Sequence, residues 1–157
     1  MKILGIDPGL ARCGWGVVDY TASRFTTLGY GAIITPAGMD FGERLVTLHR
    51  SICEIIAHFS PEQVAIEELF FQNNQKTAMA VSQARGVLVL GAAQAGLPVA
   101  EYTPPQVKQA VVGYGRAEKS QVIVMVSSIL GLVNSPKLDD TADALALAIC
   151  HAHSHRT

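Results

Sequence analysis

Lys2-Ile3-Leu4-Gly5-Ile6-Asp7-Pro8-Gly9 opens the chain with an apolar run that stops on an acid and a turn. Such a run reads as a buried β-strand closed by Pro-Gly. A second run of the same kind, Val64-Ala65-Ile66, stops on Glu67. A carboxylate at the end of a buried strand is costly unless it is paired or bound to a metal. Asp140 and Asp143 add an i, i+3 acidic pair at the start of an apolar C-terminal helix. Two strand ends and one helix face are therefore expected to build a single oxygen-rich pocket.

The pattern around these runs sets the fold class. Gly14 to Tyr20 and Phe25 to Ile34 read as two more strands, joined by short polar turns, so the chain starts as an antiparallel meander. Glu43 to Phe59 carries Leu45, Leu48, Ile52, Ile55, Ile56 and Phe59 at helical spacing, and Pro61 stops it. Gln63 to Glu67 and Pro98 to Tyr102 read as strands. Thr77 to Ala95, Pro105 to Val112, Ala117 to Leu130 and Asp140 to His151 read as helices. A meander followed by alternating helix and strand predicts an α/β fold, a mixed sheet covered by helices. Residues 1–157 are expected to form a single domain, since no linker, repeat or low-complexity stretch divides them.

Composition narrows the class further. Hydrophobic residues make up 49% of the chain and charged residues 16%, which allows a well-buried core. No apolar run reaches the roughly 18 residues of a membrane span, so no membrane role is expected. Cys13, Cys53 and Cys150 show no metal spacing and read as free thiols of a cytoplasmic protein. The net charge of −1 is low for a nucleic-acid binder. Two bound Mg²⁺ ions would reverse that sign, so a positive surface is expected only in the metal-loaded protein.

Several residues carry the chemistry. Asp7-Pro8-Gly9 is turn chemistry in its own right and also resembles the phosphate loop of actin-like folds. Glu67 and Glu68 are adjacent on a strand end, so only one can face Asp7. Asp139 and Asp140 suit a helix start, where acids cap and favour the dipole. Asp143 lies one turn further in, before Ala-Leu-Ala-Leu-Ala, and is expected beside the buried face. Phosphodiester cleavage needs an activated water and a stabilised leaving oxygen, which two Mg²⁺ roughly 3.5–4 Å apart can serve. Carboxylates alone suffice as ligands for that ion, and no zinc-type pattern of Cys and His is present.

Lys108 and Lys119 stand out because lysines are few. Arg116 and Lys119 flank a helix start, a setting that suits a phosphate. Phe70-Phe71, just past Glu67, can stack on unpaired bases if exposed, or else tuck back into the core. The small residues of the second helix predict close packing on its own sheet, with a further face available for a second subunit. The tail His151-Ala152-His153-Ser154-His155 reads as a fraying helix end.

Taken together, Gly5-Ile6-Asp7-Pro8-Gly9, Ala65-Ile66-Glu67, Gln83-Ala84-Arg85-Gly86, Gln106-Val107-Lys108-Gln109, Ala117-Glu118-Lys119-Ser120-Gln121-Val122 and Asp140-Thr141-Ala142-Asp143-Ala144-Leu145-Ala146 resemble the RuvC-type Holliday junction resolvases of bacteria. These stretches span nearly the whole chain in the family's order. The resemblance implies an RNase H-like fold, a five-stranded mixed sheet with helices on both faces. It implies a homodimer with one active site per subunit, facing one four-way DNA junction. It also implies Mg²⁺-dependent paired nicking, with Mn²⁺ able to substitute, and work beside a branch-migration motor.

The family's catalytic, metal-binding acids fall on Asp7, Glu67, Asp140 and Asp143. Lys119 falls among the catalytic groups, and Phe70, Lys108 and Lys119 on DNA-contacting positions. Asn74, Arg85 and Arg116 complete the expected DNA-contacting set. Two departures stand out. Asn73 and Asn74 occupy a stretch where some relatives carry a basic residue, with Lys76 slightly later. No basic tail follows the His-rich segment, which is expected to lower nonspecific DNA affinity.

Three rival readings share parts of this pattern. An RNase H-like enzyme acting on RNA or an RNA–DNA hybrid would use the same acids. An actin-like sugar kinase or ATPase would need a second copy of the strand–turn motif in a second domain. A non-catalytic branched-DNA-binding dimer is disfavoured, because uncompensated acids repel phosphates.

Overall fold

The computed structural model describes residues 1–69, 75–132 and 139–155, with all side chains in these ranges except those of Gln75, Asp139 and Asp140. Ten elements follow in chain order: β1 (Lys2–Asp7), β2 (Arg12–Thr21), β3 (Arg24–Ile34), α1 (Phe41–Phe59), β4 (Gln63–Glu67), α2 (Gln75–Gln94), β5 (Val99–Tyr102), α3 (Pro104–Val112), α4 (Lys119–Leu130) and α5 (Asp139–Ser154). The strands form one sheet in the order β3-β2-β1-β4-β5. β1, β2 and β3 pair antiparallel, whereas β4 lies parallel to β1 and β5 parallel to β4.

Alternation along β1 divides the interior in two. Leu4 and Ile6 point to one face and pack with Leu48 and Ile52 of α1 and Leu88 of α2. Ile3 points to the other, where Leu145 and Ile149 of α5 and Val126 of α4 meet it. Helices thus cover both faces. Each fully buried Leu or Ile contributes about 1.5–3 kcal/mol relative to exposure.

Gly5 explains how α5 sits. A Cβ on Gly5 would lie 1.9 Å from the carbonyl oxygen of Ala144. Its register partner on β2 is Gly16, where a Cβ would lie 2.5 Å from Leu145 Cδ2. The two glycines make a flat saddle across neighbouring strands, and α5 rests in it. A glycine inside a buried strand is a sign of such close approach.

The observed bounds differ from the sequence expectation mainly at element ends. β2 starts at Arg12 and α2 at Gln75, each two residues earlier than expected. α4 starts at Lys119, not Ala117. Gln121 Oε1 accepts from the Glu118 N–H (2.8 Å), which makes Glu118 the cap. Thr103 and Gln106 form a capping box that starts α3 at Pro104.

The largest correction is at the C-terminus. α5 runs on to Ser154, and His151 is only 1% exposed rather than part of a fraying end. Its Nδ1 accepts from the Tyr102 hydroxyl (2.7 Å), and Nε2 bonds Gln63 Oε1. A neutral ring protonated on Nε2 satisfies both partners. Burial, with His155 adding repulsion, pulls its pKa down to about 4. Cys13, Cys53 and Cys150 are free thiols, as expected. Among the described residues, no helix is long and apolar enough to cross a membrane.

Candidate active site

Ile6 of β1 stands level with Ile66 of β4 in a parallel pair. The next residues, Asp7 and Glu67, therefore leave two neighbouring strands side by side and on the same face, with the strands about 4.8 Å apart. The face is the one that carries α5, because Asp7 continues the side of Ile3 and Gly5. Only 9% of Asp7 is exposed. Glu68 is exposed, as alternation requires when Glu67 faces inward.

The saddle at Gly5 brings the start of α5 over these strand ends, since Ala144 touches Gly5 and Asp143 immediately precedes it. Lys119, the first residue of α4, reaches across and donates from Nζ to Asp143 Oδ2 at 3.0 Å. Lys108 approaches from α3, half-buried. Glu67, Lys108, Lys119 and Asp143 all line one cavity of about 210 Å³, floored by Val107 and Val122. Two acids and two bases thus share the wall of a pocket open to solvent. Asp140 lies on α5 one turn before Asp143, and its side chain is outside the described residues.

The remaining expected residues fall in three places. Arg85 of α2 donates from Nε to the Glu67 carbonyl oxygen (3.2 Å) and pairs with Glu101 of β5, so it braces the end of β4 from beside the cavity. Arg116 is exposed in the turn before α4 and does not line the cavity. Phe70 and Asn74 lie outside the described residues. Glu101 was not foreseen as a partner for Arg85. The signal was present, because Glu101 is an acid in a short strand whose register places it beside Ile66.

The donor set at the strand ends consists of carboxylate oxygens. Such a set fits a hard divalent cation that keeps part of its water shell, and not a zinc site of Cys and His. Among the described residues no group of three His, Cys, Asp or Glu side chains stands close enough to hold a metal ion, and the Asp140 side chain is not among them. Asp7 and Glu67 end neighbouring parallel strands, and Asp143 pairs with Lys119 at the cavity that Glu67 lines.

The family model described as Crossover junction endodeoxyribonuclease RuvC matches residues 3–151. The chain belongs to the RuvC family. A Crossover junction endodeoxyribonuclease RuvC of Alkaliphilus oremlandii is 58% identical over 154 residues, covering 98% of this chain and 94% of that protein. The structure of Thermus thermophilus RuvC superposes with a TM-score of 0.90 at 40% identity, covering 98% of this chain and 94% of that one. T. thermophilus RuvC in complex with a Holliday junction substrate gives the same TM-score at 37% identity and the same coverage. The five-stranded mixed sheet with helices on both faces is thus the RNase H-like fold of RuvC.

Proposed function

We propose that this chain is a metal-dependent endodeoxyribonuclease that resolves four-way DNA junctions by symmetrical paired nicks. The observation that carries the reading is the adjacency of Asp7 and Glu67 on parallel strand ends, facing the Asp143–Lys119 pair. Membership of the RuvC family and the likeness to a RuvC that was solved with a Holliday junction substrate support the choice of substrate. Residues 1–157 act as one nuclease domain, in the cytoplasm.

Asp7, Glu67, Asp140 and Asp143 would hold Mg²⁺, two ions per subunit, with Mn²⁺ able to replace it. Bound there, such ions would supply a lowered pKa for an attacking water and charge to offset the leaving 3′ oxygen. The residues do the positioning. Asp7, at the end of the central strand, is held in place by the sheet. Glu67 is fixed by the β4 backbone, which Arg85 grips. Lys119 keeps Asp143 aimed into the pocket and brings a positive charge to the scissile phosphate. Lys108 and Arg116 extend that charge along the DNA backbone, and Phe70 and Asn74 contact the opened crossover.

Paired incision follows from a homodimer, because a two-fold protein offers two equivalent sites to a roughly two-fold junction. Met79 and Leu90 of α2 support a dimer, being 62% and 50% exposed and eleven residues apart on one helix stripe. A branch-migration motor is the expected working partner. The test is cleavage of a synthetic four-way junction labelled on each strand in turn, with Mg²⁺ and with EDTA. Two symmetric Mg²⁺-dependent nicks that leave ligatable ends are expected. Hydrolysis of an RNA–DNA hybrid with an intact junction would move the protein to the RNase reading.

A further inference from the structure

The β1–β2 ladder ends at the Asp7–Gly14 pair, and the turn between the strands runs from Pro8 to Ala11. The turn is tight, since a Cβ on Gly9 would lie 2.1 Å from the Arg12 carbonyl oxygen. Thr35, the first residue beyond β3, grips it from the side. The Thr35 N–H donates to Ala11 O (3.0 Å), and its hydroxyl donates to Leu10 O (2.5 Å). Thr35 is 1% exposed.

Behind Thr35 stands Arg44, in the first turn of α1. Its Nε donates to the Thr35 hydroxyl (2.9 Å) and its Nη2 to Thr35 O (3.1 Å). The direction of this relay is forced. A guanidinium only donates and a carbonyl only accepts, so the hydroxyl must accept from Arg44 and donate to Leu10. The two-pronged contact needs a planar fork, which a lysine ammonium does not offer.

We propose that Thr35 and Arg44 are positioning residues for the cleavage reaction: they lock the turn that follows Asp7 and so hold its carboxylate beside Glu67. The inference rests on the reading of Asp7 as an acid of the reaction. α1 is thereby coupled to the site through the turn that follows Asp7. Geometry of this kind matters because a displacement of about 1 Å in a reacting group can slow a reaction roughly 100-fold.

Thr35→Val keeps the side-chain shape and removes the hydroxyl, whereas Thr35→Ser keeps the hydroxyl. Three quantities are read on each: single-turnover cleavage of a four-way junction with Mg²⁺, junction affinity in EDTA, and amide hydrogen exchange over residues 9–12. Thr35→Val is expected to slow cleavage about 10–100-fold, leave affinity within about twofold, and speed exchange in the turn. Thr35→Ser is expected to restore all three. Arg44→Gln, which loses the fork, should follow Thr35→Val and serves as the second variant if Thr35→Val does not fold. Cleavage by Thr35→Val near the wild-type rate, or equal losses in Thr35→Val and Thr35→Ser, would overturn the proposal. Asp7→Asn run in parallel separates the two claims: an active Asp7→Asn overturns the reading of Asp7 itself.

Discussion

Lys119 Nζ lies 3.0 Å from Asp143 Oδ2, which joins the first residue of α4 to the first turns of α5 across the open cavity. The side chains are 47% and 36% exposed, so water screens the pair and its contribution to stability is about 0–1 kcal/mol. On the proposed reading the pair aims charge at the DNA and adds little to the stability of the fold. Lys119→Ala should leave the melting temperature within a few degrees of wild type. It should slow junction cleavage by roughly 10²–10³-fold and reduce the salt dependence of DNA binding by about one phosphate contact. Thermal melts and salt titrations of junction binding check both halves. A large loss of stability with normal cleavage would place Lys119 in the structure rather than in the reaction.

The saddle of Gly5 and Gly16 yields a second prediction. Gly5→Ala puts a methyl group onto the Ala144 carbonyl, a backbone atom that cannot swing aside. Either α5 lifts or the strand shifts. Overpacking of this kind costs about 1–3 kcal/mol and more where backbone must move. Because α5 carries Asp140 and Asp143, cleavage should fall further than the folded fraction does. Chemical denaturation together with single-turnover cleavage measures the two effects separately.

His151 gives a pH prediction. Its folded pKa is pulled from the ordinary 6.5 to about 4 by burial, with repulsion from His155 second. The unfolded chain therefore takes up this proton at a higher pH than the folded chain. The sign follows: the stability is fully present above the unfolded value and is lost as pH falls from about 6.5 towards 4. The groups facing the ring are Gln63 on β4, Tyr102 on β5 and His155 on its own helix. His151→Gln cannot titrate, so its melting temperature should decline less steeply across that window. Parallel curves for the two proteins would refute the assignment.

Much of the fold was legible because its signals are local. The runs ending in Asp7 and Glu67 announce buried strands, and Pro61 and the Pro104-Pro105 pair mark helix bounds. The adjacency of Asp7 and Glu67 was only half legible. Each residue reads as a strand end, but the parallel β1–β4 register that makes them neighbours is a long-range property. His151 was misjudged because alternating His and small residues at a chain end look solvated. The Tyr102 and Gln63 partners that keep it buried come from two distant strands. Gly5 and Gly16 were legible in principle as glycines inside apolar strands, yet their pairing under α5 depends on a hairpin register that spacing alone does not set.

Asp7→Asn tests the central claim most directly. The substitution keeps the size and outline of a side chain that is only 9% exposed, removes its charge and turns one acceptor oxygen into a donor. Cleavage of a four-way junction in Mg²⁺ should fall by roughly 10²–10⁴-fold, the equivalent of several kcal/mol of transition-state stabilisation. Junction affinity in EDTA should persist or rise, since a negative charge near the DNA is lost. Cleavage at the wild-type rate by a folded Asp7→Asn protein would contradict the carboxylate site, and with it the proposed nuclease mechanism.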